Sequence, residues 1–160
     1  METRTILVSA CVLGENCKYN GGNNFCPAAA ELLKDYKILA LCPEMLAGMG
    51  CPRTPIEIVE GVLMDQQGRN VDKAMNDAVA KAMEIVKQSQ ISLAVLQSRS
   101  PTCGVNQIYD GTFTGRLISG SGLFAQALKT AGYPVLDVEE LARYSREELE
   151  DYLQGEVAAV

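Results

Sequence analysis

VDKAMNDAVAKAMEIVKQSQISLAVLQ, residues Val71 to Gln97, is the stretch on which the fold turns. From Val71 to about Val86 apolar residues recur at Ala74, Ala78, Ala82 and Val86, with Met75, Val79 and Met83 beside them. That spacing predicts a helix with one buried face. Gly68 and Asn70 supply a turn and a cap ahead of it. After a short polar break, Ile91–Gln97 (ISLAVLQ) has the composition of a buried strand.

The same alternation continues upstream. Thr5–Ala10 (TILVSA) reads as the first strand, followed by a loop from Cys11 to Asn24 rich in Gly and Asn. Pro27 suits the first turn of a helix running to about Leu33, with Ala28, Leu32 and Leu33 facing inward. Tyr36–Leu41 reads as the second strand and ends at Cys42-Pro43-Glu44. Met45–Pro55 is broken by Gly and Pro and reads as loop, and Ile56–Met64 as one or two edge strands.

Downstream, the Ile91–Gln97 strand opens into Ser98–Gly104, and a second long loop is expected over Val105–Ser119. Gly120-Ser121-Gly122 then starts a helix through Ala131, with Leu123, Ala127, Leu128 and Ala131 as its inner stripe. Tyr133–Val138 is a further strand, and the acidic tail from Glu139 is helical. Alternating strands and helices imply a single α/β domain over residues 1–160. The expected architecture is a three-layer, Rossmann-like fold with a mainly parallel sheet and right-handed crossovers. Its active site belongs at the carboxyl ends of the strands.

Composition limits the chemistry available there. The chain has 160 residues, six cysteines and no histidine. Histidine general bases, Ser-His or Cys-His pairs and imidazole metal ligands are excluded. None of the cysteines forms a CxxC pair. The apolar runs, such as Ile38–Cys42 and Leu93–Leu96, are too short to span a membrane. The start, Met-Glu-Thr-Arg-Thr, lacks the features of a secretion signal, so a cytoplasmic location with reduced thiols is expected. A formal net charge of −6 with dispersed Lys and Arg argues against general nucleic-acid binding and for a small-molecule substrate.

Cys11 follows the first strand, Cys42 ends the second, and Cys103 lies in the loop after Ile91–Gln97. Three thiols from three strand ends can converge on one side of the sheet. Such a set suits zinc with a fourth ligand, or an iron–sulfur cluster, and the spacing does not choose between them. Cys26 and Cys51 read as bystanders, and Cys17 as either a neighbour of the site or a filler. Glu44 can serve as acid, base or ligand, and Ser100 can orient a substrate or close its turn. Ser9 reads as strand end, Arg53 as an anion or carbonyl clamp or a surface ion pair, and Tyr109 and Asp110 as turn residues. Gly120-Ser121-Gly122 offers either anion-binding amides or a plain helix entry.

Four ordered blocks carry a resemblance: SACVLGENCKYNGG (Ser9–Gly22), LCPEMLAGMGCPRTPIEI (Leu41–Ile58), SRSPTCG (Ser98–Gly104) and YDGTFTG (Tyr109–Gly115). Together they resemble the thiouracil desulfidase family over roughly residues 4–138. The resemblance implies an α/β domain holding a 4Fe-4S cluster through three cysteines, with the fourth iron open. It also implies an enzyme that removes sulfur from a small thiolated pyrimidine as hydrogen sulfide, without net redox change. Cys11, Cys42 and Cys103 match the cluster ligands, Glu44 the proton-transfer carboxylate, and Ser100 the hydroxyl near the substrate. Lys18-Tyr19-Asn20-Gly21 departs from the common RYDG block, and Cys51 stands where the family pattern commonly has Thr. Two other readings use the same thiols: a non-catalytic metal- or iron–sulfur-binding protein, and a thiol redox protein working through Cys11 and Cys17. The missing CxxC counts against the redox protein.

Overall fold

The four most apolar runs form the central sheet of the computed structural model, which describes residues 4–158. Met1-Glu2-Thr3 of the N-terminal start, and residues 159 and 160 of the tail, lie outside the described residues. Strands β1 (Thr5–Ser9), β2 (Lys37–Leu41), β5 (Leu93–Leu96) and β8 (Val135–Asp137) are all parallel, in the order β2-β1-β5-β8. Alternate residues of each strand feed opposite faces, as the period of two requires. Ile6, Val8, Leu93 and Val95 face α1 (Pro27–Leu33), α5 (Val138–Leu141) and α6 (Arg146–Ala158). Leu7, Ala94 and Leu96 face α3 (Asp72–Ser89) and α4 (Leu123–Thr130). The result is the expected three-layer α/β fold.

The α3 stripe is largely as expected, and the α4 stripe is rotated toward Phe124. In α3 the buried set is Met75, Ala78, Val79, Ala82 and Val86, while Ala74 is exposed. In α4 it is Phe124, Ala125 and Leu128, while Ala131 is exposed. The α4 rotation turns the large Phe124 side chain inward, and burying a Phe contributes about 1.5–3 kcal/mol, well above what an alanine offers. In α1, Ala29 and Leu33 are buried and Ala28 is exposed.

The sheet is smaller than the sequence suggests, because two segments leave it. Ile56–Val59 (β3) and Val62–Asp65 (β4) form a separate antiparallel hairpin rather than edge strands of the main sheet. Its turn residues Glu60 and Gly61 both have positive φ, 51° and 81°, which is the twist a two-residue hairpin loop needs. The Val105–Ser119 loop also contains a hairpin, Gln107–Tyr109 (β6) with Leu117–Ser119 (β7). Its strands are three residues long, too short to leave an alternation in the sequence. The Met45–Pro55 loop begins inside a short helix, α2 (Pro43–Leu46).

At the far edge the Tyr36 phenol donates to the Glu150 carboxylate, tying β2 to α6. Burial first, and then this acceptor, push the phenol up from 10.0 to about 12. The unfolded chain therefore loses this proton first as pH rises. The stabilisation is intact below pH 10 and declines toward pH 12. Tyr36→Phe is expected to remove this share of the alkaline loss, read as a flatter melting-temperature profile across that window. An unchanged profile would contradict the assignment.

Candidate active site

The chain runs from β1 outward to β2 with α1 on one face, then returns to β5 with α3 on the other. Crossovers thus leave β1 and β5 in opposite directions, and their carboxyl ends splay to form a crevice. The Ser9 hydroxyl stitches the two ends together by accepting the Gln97 N–H at 2.9 Å. A cavity of about 500 Å³ opens there, bordered by Cys11, Cys17, Cys42, Cys103, Glu44 and Ser100.

All six cysteines are free thiols, and four of them meet at this cavity. Cys11 lies on a short 3-10 turn, Ala10–Leu13, directly after β1. The Asn24 amide donates to its sulfur at 3.4 Å, and burial, the larger effect, raises its pKa. Cys42 is the residue from which α2 starts, and its sulfur lies 4.0 Å from the Cys17 carbonyl. Cys103 is buried, and its thiol is pushed well up by desolvation against the opposing hydroxyl of Ser9. Cys17 belongs to the group as well: burial and the proximity of Cys42 and Cys11 push its thiol up to about 12. Cys26 packs against the core beneath α1, while exposed Cys51 donates to the Asn16 carbonyl at 3.0 Å. Neither borders the cavity.

Burial raises the pKa values of the Cys11, Cys17 and Cys103 thiols. Raised values are the opposite of the lowered ones that activate a redox thiol, so the Cys11–Cys17 reading loses support. Metal binding there must displace protons. Among the described residues, no three Cys, His, Asp or Glu side chains stand close enough to hold a single metal ion. The donor chemistry of several thiols at one cavity is of the kind that holds an iron–sulfur group.

Glu44 occupies the first turn of α2, two residues past Cys42. Its side chain is only 14% exposed, so its charge needs partners. Arg53 supplies them through Nε to Oε1 at 2.9 Å, and the Thr102 hydroxyl donates to Oε2 at 3.2 Å. The rest of the Arg53 guanidinium donates to the Gly50 and Cys17 carbonyls, both at 2.8 Å. Arg53 is thus a carbonyl clamp and a buried ion pair together, one cation joining the carboxylate to the Cys17 loop.

Ser100 closes its turn. Its oxygen accepts the Thr102 and Cys103 N–H groups at 3.0 and 3.1 Å, which leaves its own proton available to the cavity. This loop is welded to α4. The Leu123 N–H donates to the Pro101 carbonyl, and those of Phe124 and Ala125 to the Thr102 carbonyl. Of the amides expected at Gly120-Ser121-Gly122 as a possible anion site, that of Gly120 donates to the Asn106 carbonyl at 3.1 Å and that of Gly122 to the Gly104 carbonyl at 2.7 Å, which favours the plain helix entry. Gly122 is needed for the contact, since a Cβ there would lie 2.5 Å from the Thr102 backbone.

Tyr109 lies in β6 and not in a turn, whereas Asp110 does close one, accepting the Thr112 N–H at 3.0 Å. Sequence reasoning misses Asn24 and Thr102 and gives Ser9 no role. Asn24 ends a Gly/Asn-rich loop that looks like spacer. Thr102 differs from any surface threonine only by standing beside Cys103, a signal that adjacency could have given.

The family profile described as "2-thiouracil desulfurase" matches residues 6–140. The "Uncharacterized protein YbbK" of Bacillus subtilis (strain 168) is 36% identical over 146 residues, covering 85% of this chain and 97% of that protein. A solved structure described as "[4Fe-4S]-dependent thiouracil desulfidase TudS (DUF523Vcz)" superposes with a TM-score of 0.83 at 27% identity. The match covers 99% of this chain and 100% of that one. No helix among the described residues is long and apolar enough to cross a membrane. With its blocks converging at one switch-point cavity and the profile matching most of its length, the chain belongs to the 2-thiouracil desulfurase family.

Proposed function

We propose that this protein is a desulfidase that hydrolyses the C=S group of a small thiolated pyrimidine: thiouracil and water give uracil and hydrogen sulfide, with no electron transferred. One observation carries the reading, the convergence of Cys11, Cys42, Cys103 and Glu44 on a single cavity. Cys11, Cys42 and Cys103 would hold a 4Fe-4S cluster through their thiolates, as the three-thiol donor set suggests. When bound, such a cluster offers a soft metal site for the substrate's sulfur. The remaining work falls to the protein. Glu44, fixed by Arg53 and Thr102, takes a proton from the attacking water and returns one to the departing sulfide. The Ser100 hydroxyl donates to the pyrimidine, because its acceptor capacity is already committed to the loop.

The test is sulfide release from 2-thiouracil or 4-thiouracil by anaerobically reconstituted protein. Glu44→Ala is expected to keep the iron and lose about 10²–10⁴-fold in rate, the usual worth of a positioned acid–base group. Full activity in that variant would remove Glu44 from proton transfer. Brown, iron-loaded protein that releases no sulfide from either compound would favour the non-catalytic iron–sulfur-binding reading.

A further inference from the structure

The YDGTFTG block supplies no thiol, yet the fold sets a buried carboxylate against it. Glu57, on β3, is 8% exposed. Its Oε1 accepts two backbone donors from the loop between β6 and β7: Gly111 N–H at 2.9 Å and Phe113 N–H at 3.2 Å. Between them Asp110 accepts the Thr112 N–H and hydroxyl. Gly111 sits so close to β3 that a Cβ there would lie 2.6 Å from the Ile58 carbonyl oxygen. Phe113 is held at φ 59°, a region an aromatic L-residue rarely occupies. Strain of this kind persists only where its surroundings over-determine it, and it gathers at ligand-contacting positions.

The strain does not serve core packing. Among the described residues Phe113 joins none of the three hydrophobic clusters, and it is only half-buried. What it does is line the cavity, together with Tyr109 and Glu57. We propose that Phe113 is a specificity-determining residue whose ring stacks on the planar pyrimidine, and that Glu57 is the positioning residue that holds it at the cavity wall. This rests on the desulfidase reading for its substrate class. An aromatic face recognises a flat heterocycle irrespective of which ring carbon carries the sulfur, leaving that choice to hydrogen-bonding groups.

The experiment compares parent, Phe113→Ala and Phe113→Tyr by calorimetric binding of uracil, which is not turned over, and by steady-state sulfide release. Phe113→Ala is expected to raise the uracil Kd and the KM about 5- to 150-fold, the equivalent of losing about 1–3 kcal/mol of base stacking. With kcat and iron content unchanged, that pattern marks lost uniform binding. Phe113→Tyr should bind as the parent does. Glu57→Ala should raise KM like Phe113→Ala, and Glu57→Gln, which keeps the accepting oxygen, should restore it. Equal uracil Kd in parent and Phe113→Ala would overturn the stacking role even if sulfide release is normal. Tight uracil binding lost in Phe113→Ala without sulfide release by the parent would overturn the desulfidase reading and keep the stacking role. No uracil binding by the parent would overturn the stacking role outright, and an unchanged KM in Glu57→Ala would remove the positioning role.

Discussion

Reconstituted without oxygen, Cys103→Ala protein is expected to hold less than one iron per chain, where the parent takes up about four iron and four sulfide. Cys103 sits in a tightly hydrogen-bonded turn. Its N–H and that of Thr102 are bound by the Ser100 oxygen, and the following Gly104 N–H donates to the Ser100 carbonyl at 2.8 Å. Gly104 itself has no room for a side chain, since a Cβ would meet the Ser100 carbonyl oxygen at 2.6 Å. Cys26→Ser and Cys51→Ser, away from the cavity, should keep full iron and the visible absorption of the cluster. Cys17→Ser should keep the iron too if three thiolates suffice. Iron lost on changing Cys26 or Cys51 would overturn the assignment, and loss on changing Cys17 would make it a fourth ligand. Cluster binding also adds stability to the folded state. The gap in melting temperature between loaded and metal-free parent should therefore vanish in Cys103→Ala.

Arg53→Ala is expected to be the most destabilising single change at the site. The Arg53 and Glu44 side chains are 8% and 14% exposed. Removing the cation strands a nearly buried carboxylate, and breaking such a pair costs about 3–5 kcal/mol. Two carbonyls, Gly50 and Cys17, lose their donors in the same step. For a chain of this size the loss corresponds to roughly 6–20 °C in melting temperature. Because much of it comes from the stranded charge, Glu44→Gln should recover part of the loss in the Arg53→Ala background. A melting temperature within about 2 °C of the parent in Arg53→Ala would show that water rescues the carboxylate and that the pair contributes little.

Much of the site is legible in the order of the residues. Cys11, Cys42 and Cys103 each follow a run of apolar residues that reads as a buried strand, and strand ends in a parallel sheet share one side. The placement of Cys17 is not legible in this way. It lies in a loop with no periodicity, and its partners Cys42 and Arg53 are 25 and 36 residues away. The hairpin β6–β7 is hidden because three-residue strands carry too few side chains to show an alternation. Arg53 reads equally as clamp or surface pair, since burial of a charge depends on what packs over it.

Local chemistry, then, determined the layers of this protein, its chemical repertoire and which side-chain types are on hand as donors. Helical and strand periodicities act over a few residues, and the lack of histidine leaves thiols and carboxylates to do the work. Tertiary structure alone decided which groups meet: four thiols rather than three, a carboxylate held by Arg53, and a strained Phe113 held by Glu57 from a different hairpin. Those contacts join residues 9 to 88 positions apart, from the Arg53–Glu44 pair to the Ser9–Gln97 stitch. Such contacts depend on how the crossovers bring strand ends and loops together, which no local window of sequence contains.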